Sequence, residues 1–111
     1  MNRRHGERVW LQIRVIVETE IEQGKLARLD AFTISVNAHG GLLEMGLRVQ
    51  EGQKLLLTNP AVGVRQDCRV VRVRSSRNGS FAVAFEFDCP TTQFWPITFP
   101  LADRGLVKTE N

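Results

Sequence analysis

The chain has 111 residues, 42% of them hydrophobic and 24% charged, with a formal net charge of +3. That length suits one domain and leaves no room for a second, and the patterned apolar content argues against intrinsic disorder. No apolar run approaches the length of a membrane span, so membrane insertion is not expected.

Period-two alternation dominates the first half of the chain. Val9, Leu11, Ile13, Val15 and Val17 occupy every odd position, with Gln12, Arg14 and Glu18 between them, and this predicts a half-buried strand. Trp10 and Ile16 fall on its outer face. The segment from Ile21 to Arg28 is polar around Gly24 and reads as a turn. A second strand follows, in which Phe32, Ile34, Val36 and Ala38 face the core, while Thr33, Ser35 and Asn37 share the outer face. It ends at His39-Gly40-Gly41. Leu42, Leu43 and Met45 restart an apolar segment, Gln50 to Gln53 turns, and Lys54 to Thr58 is another short strand.

Asn59-Pro60 opens a loop that Gly63 closes. Val64 to Val73 is a long strand whose apolar phase shifts at Val70-Val71, the signature of a bulge. Asn78-Gly79 is a strong hairpin signal, and Phe81, Val83, Phe85 and Phe87 form the last alternating strand. After Cys89-Pro90 a helical turn is expected near Thr91 or Thr92, cut short by Pro96 and Pro100. Phe94, Trp95, Ile97 and Phe99 are placed as a plug for one open end. These short antiparallel strands predict an all-β fold: a small six-stranded antiparallel β-barrel with a short C-terminal helical or irregular segment.

Catalysis and metal binding have no visible constellation. His5 and His39 lie in no HxxxH, HxH or Cys/His cluster, and no GxSxG, HExxH or phosphate-loop pattern occurs. No catalytic residue, metal ligand or cofactor is assigned, and the chain reads as a non-enzyme. The basic N-terminus MNRRHGER precedes no apolar signal core, so the chain reads as cytoplasmic. Cys68 and Cys89 form no CxxC and are expected to be reduced thiols buried as small hydrophobes.

The basic residues are more informative than the net charge. Of the 15 cationic residues, only Lys25, Lys54 and Lys108 are lysines, leaving 15 − 3 = 12 arginines. Arginine presents a planar fork suited to phosphate and guanine edges. Arg3, Arg4 and Arg8 lie in an arm, residues 1–8, directly before the first strand. Arg4 and Arg8 form an RxxxR pattern, able to hold two anionic groups or to clamp a purine. Ser35-Val36-Asn37-Ala38-His39-Gly40 leaves the second strand with short polar side chains on alternate positions, and Gly40 permits close approach.

Together these two segments resemble the PilZ domain family, whose receptors bind cyclic di-GMP. The family pattern is an arginine-rich RxxxR arm, then a [D/N]xSxxG segment, then a six-stranded barrel. Arg4-xxx-Arg8 matches the first motif, with Arg3 as the doubled arginine. Ser35-x-Asn37-x-x-Gly40 occupies the place of the second, departing from it at Ser35 and Asn37 and keeping Gly40. The resemblance covers residues 3–100, with 101–111 as a tail. It implies a ligand-binding set of Arg3, Arg4, Arg8, Ser35, Asn37 and Gly40, with cyclic di-GMP as ligand. The arm would close over the ligand and the ordered surface would engage an effector protein in trans. Gly40 would leave space for the ligand.

Two other readings compete. A degenerate PilZ domain would bind no nucleotide and act as a protein-interaction module, as the Ser35 and Asn37 departures suggest. A small barrel binding RNA or single-stranded DNA would use the strip Arg65, Arg69, Arg72, Arg74 and Arg77. Such binders need exposed aromatic platforms, and Trp10 is the one outward aromatic expected on a strand, so a nucleic-acid partner is disfavoured.

Overall fold

The computed structural model describes residues 8–89, 91 and 93–97. Seven strands run β1 (Val9–Trp10), β2 (Arg14–Glu20), β3 (Leu26–Asn37), β4 (Gly40–Met45), β5 (Lys54–Asn59), β6 (Val64–Ser75) and β7 (Phe81–Phe87). All pairings are antiparallel, and the order β3-β2-β5-β6-β7-β4 closes on itself through β3–β4, giving a six-stranded barrel. The two-residue β1 pairs with the end of β3, Val9 opposite Val36 and Trp10 opposite Ser35. Closure removes the exposed strand edges that would otherwise template aggregation.

The first expected strand is interrupted. Between β1 and β2 the chain steps over Leu11–Ile13, and the side chain of Thr33 fills the gap in the ladder. Its hydroxyl donates to the Leu11 carbonyl and accepts the Ile13 N–H at 2.8 Å, while Thr33 N–H donates to the Ile13 carbonyl at 2.9 Å. Thr33 is accordingly buried.

The turn expected from Ile21 to Arg28 is shorter than its bounds, because Leu26–Arg28 already belong to β3. The reversal needs only Gln23 and Gly24, at φ 58° and 76°, and β3 begins at Leu26. Leu26, Arg28 and Asp30 face solvent and Ala27, Leu29 and Ala31 face inward, so small inward alanines conceal the alternation. The hairpin signal at Asn78-Gly79 has the expected geometry: φ is 56° and 76°, both in the left-handed region that a type I′ turn requires.

Two bulges break the alternation. On β6, Val70 pairs with Phe85 and Arg72 with Ala84, leaving Val71 extra, as the sequence phase predicts. On β3, Thr33 pairs with Leu43 and Ser35 with Leu42, leaving Ile34 extra. This second bulge corrects the expected facing of β3. Thr33 points inward and does not share a face with Ser35 and Asn37, and Phe32 points outward, 45% exposed.

The barrel interior is filled by Val15, Val17, Val36, Leu43, Leu55, Leu57, Val70 and Val83, all at most 2% exposed. Phe94 and Trp95 are buried with Phe85 and Phe87, the Phe94 and Trp95 rings meeting edge to face at 4.7 Å. The Trp95 indole N–H donates to the Asn37 carbonyl at 2.9 Å, and the Asn59 side-chain amide donates to the Phe94 carbonyl at 2.6 Å. The expected plug thus ties the ends of β3 and β5 together. Residues 93–97 form bends with no helix, and Ile97 packs half-buried on the core. Phe99, Arg3, Arg4 and the tail from 101 lie outside the described residues.

The thiols differ from expectation in one case: Cys68 is buried, but Cys89 is exposed. Burial, reinforced by the Asp88 and Asp67 carboxylates, pushes the Cys68 thiol up to about 12. A thiol reagent at neutral pH is therefore expected to modify Cys89 quickly and Cys68 only after unfolding. An unfolded thiol titrates near ~8.5, so the raised value favours the fold fully below that pH and loses its contribution as pH rises towards 12. Thr33→Val, which keeps shape but orphans the Ile13 N–H, is expected to cost about 1–3 kcal/mol in urea denaturation.

Candidate ligand groove

The β3 bulge decides where the second sequence motif points. Val36 is fully buried in the core, so its neighbours Ser35 and Asn37 face out of the barrel. There they meet Arg8, which stands one residue before β1 and opposite Asn37 by continuation of the Val9–Val36 register. These three side chains line one groove of about 440 Å³, a size within the usual range of small-ligand sites. Three of the sequence-assigned residues are thus brought together, although they are 27 and 29 positions apart in the chain (35 − 8 and 37 − 8).

Their surroundings differ in detail. Ser35 lies at the groove floor and is only 2% exposed. Asn37 is half-buried, and its Oδ1 accepts the His39 backbone N–H at 2.7 Å, closing the β3–β4 turn. That bond leaves the Asn37 amide NH₂ as the donor it can offer to a ligand. His39 also lines the groove.

Gly40 has a different role from the one expected of it. It is not among the groove-lining residues; Gly41 is. A Cβ built at Gly40 lies 2.1 Å from the Phe85 carbonyl oxygen, inside the backbone of β7. Glycine is required there by the close approach of β4 to β7, whatever occupies the groove.

The opposite wall was not anticipated as part of the site. Arg72 and Arg74 of β6 line the same groove, across a floor that includes Leu42, Ala82 and Ala84. Groove-lining arginines at Arg8, Arg72 and Arg74 face a single lining carboxylate, Glu86, which Arg69 engages at 3.2 Å. Arg69 also approaches Asp88 at 4.0 Å. The basic strip considered for nucleic acid is therefore divided: Arg69 is held by acids, and Arg72 and Arg74 turn into the groove. Phe32 joins Trp10 as an outward strand aromatic, the latter 72% exposed.

No family model matches the chain, and no curated protein matches it. Among solved structures it is similar to the Bacillus subtilis inhibitor of motility, MotI/DgrA, at a TM-score of 0.66 and 14% sequence identity. MotI/DgrA is a PilZ-domain protein. The chain has a PilZ-like fold. The similarity covers 100% of this chain and 55% of that one, so the chain spans about half of its structural neighbour. No helix among the described residues is long and apolar enough to cross a membrane, and no group of three metal-ligating side chains occurs among them.

The backbone conflict at Gly40 gives a direct check on its role. Gly40→Ala is expected to destabilise the barrel by about 3 kcal/mol, the upper end of overpacking costs. Thermal and urea unfolding would register the loss without any ligand present.

Proposed function

We propose that this protein is a PilZ-type receptor for cyclic di-GMP, acting as an adaptor whose arginine-rich arm closes over the bound ligand. The observation that carries the reading is the convergence of Arg8 with Ser35 and Asn37 on one outward groove of about 440 Å³. One residue of the first motif and two of the second share it. In this reading Arg4, four residues before Arg8 in the sequence, is the second arginine that engages the ligand.

In this mechanism Arg4 and Arg8 engage phosphates and guanine faces, through bidentate hydrogen bonds and stacking. The Asn37 amide and Ser35 hydroxyl meet guanine edges or ribose at the floor. A serine in place of an acid accepts hydrogen bonds without charge assistance, which weakens that contact by roughly half. Ordering the arm costs free energy, but the arm is short, and closure creates a new surface for an effector protein. The reaction is binding alone; no step in it needs a nucleophile or a metal.

One observation favours a second reading, a PilZ-like barrel that binds no nucleotide and acts through protein contacts. Ser35 is nearly inaccessible, and Asn37 Oδ1 is already engaged by its own turn. The exposed Trp10, Leu26 and Phe32 then supply the apolar contact surface.

Calorimetric titration with cyclic di-GMP separates the two. The receptor reading predicts saturable binding, not reproduced by GTP and lost at least tenfold in Arg4→Ala/Arg8→Ala, about 1.4 kcal/mol or more. A folded protein that gives no heat up to high micromolar ligand contradicts it and leaves the protein-interaction module.

A further inference from the structure

We propose that Arg72 and Arg74 form a second cationic wall that grips the ligand's phosphates from the side opposite Arg8. The inference rests on the receptor reading and extends the site to residues outside either PilZ-like motif.

On β6, Cys68 and Val70 are buried in the core. Strict alternation would send Arg72 and Arg74 inward and Val73 outward. The extra residue Val71 reverses this: Val73 packs against the core, and Arg72 and Arg74 both emerge on the outer face. Bulges beside binding sites commonly re-aim side chains in this way.

Register shows what they face. Trp10 is opposite Ser35, Ser35 opposite Leu42, Leu42 opposite Ala84, and Ala84 opposite Arg72. One continuous outward row therefore runs from β1 to β6. Ser35 and Arg72 are separated by three strand spacings, roughly 14 Å of curved sheet. The residues between them are Leu42 and Ala84, with Gly41 and Ala82 alongside, all lining the groove. A planar base can lie close to the sheet over so low a floor.

The charges are disposed to receive an anion. Arg69, which precedes the bulge in the chain, is held by Glu86 at 3.2 Å and Asp88 at 4.0 Å. Beyond the bulge, no carboxylate among the described residues lies within the 4.0 Å ion-pair distance of Arg72 or Arg74. Guanidinium groups on both sides of a groove suit a ligand with two phosphates rather than one, because each wall then engages its own anion. Arg72 and Arg74 are exposed, so replacing them leaves the core intact.

The test is calorimetric titration of cyclic di-GMP into the wild-type protein, Arg72→Ala/Arg74→Ala, Arg72→Lys/Arg74→Lys and, as an equal-charge control, Arg65→Ala/Arg77→Ala. The expected result is a loss of affinity of at least about tenfold in the groove alanine variant, partial recovery with lysine, and near wild-type affinity in the control. Wild-type binding with an unaffected groove variant overturns the second wall and leaves the receptor reading standing. Equal losses in the groove and control variants also overturn it, since the effect is then net charge alone. No binding by the wild-type protein defeats both readings together.

Discussion

A β-strand places successive side chains on opposite faces, and one inserted residue exchanges the faces of everything beyond it. The groove of this barrel depends on two such insertions. Ile34 in β3 and Val71 in β6 are each unmatched in the ladder to their neighbours β4 and β7. Beyond Ile34 the core residue becomes Val36 and the outward pair becomes Ser35 and Asn37. Beyond Val71 the core-facing residue becomes Val73 and the outward pair becomes Arg72 and Arg74. Without these exchanges the polar residues would point into an apolar interior, at a cost no small domain sustains. The same apolar demand that fills the core therefore aims the groove.

The groove wall is held from behind as well. Trp95 reaches through the plug to bond the Asn37 carbonyl, while Asn37 Oδ1 closes the turn into β4. Thr33 splices the broken β1–β2 edge onto β3 just before the bulge. The end of β3 is thus fixed by three sets of contacts, from the Leu11–Ile13 segment, the following turn and the C-terminal aromatics. A pre-set wall lowers the ordering cost of any ligand held there.

Much of this was legible in the sequence, for identifiable reasons. Val15 and Val17, or Val83 to Phe87, alternate cleanly because one face is core and the other solvent. Asn78-Gly79 named its own turn. The Val70-Val71 doublet announced the β6 bulge, because two adjacent valines cannot both follow the alternation. The β3 bulge gave no comparable sign. Thr33 is a polar residue at an inward position, satisfied by backbone groups of another strand, and Phe32 is a large apolar residue left outside. Those two reversals misplaced Phe32 and Ile34 in the expected inward set, in which Val36 and Ala38 hold. The early part of β3 was concealed by Ala27 and Ala31, which mark an inward face only weakly. Arg72 and Arg74 were visible as basic residues, but their place opposite Arg8 follows from the β4–β7 pairing between them, a long-range fact that no local pattern contains. Gly40 was singled out for a ligand, whereas the backbone of β7 is what excludes a side chain there.

The functional account therefore reduces to a spatial claim: two outward pairs and Arg8 bound one ligand groove. Amide-resolved NMR during titration with cyclic di-GMP addresses that claim most directly. The account predicts shifts concentrated at Arg8, Ser35, Asn37, Leu42, Arg72 and Arg74, with Gln23 to Arg28 at the far end of the β2–β3 hairpin unmoved. Shifts centred on that far end, or none at saturating ligand, would contradict it.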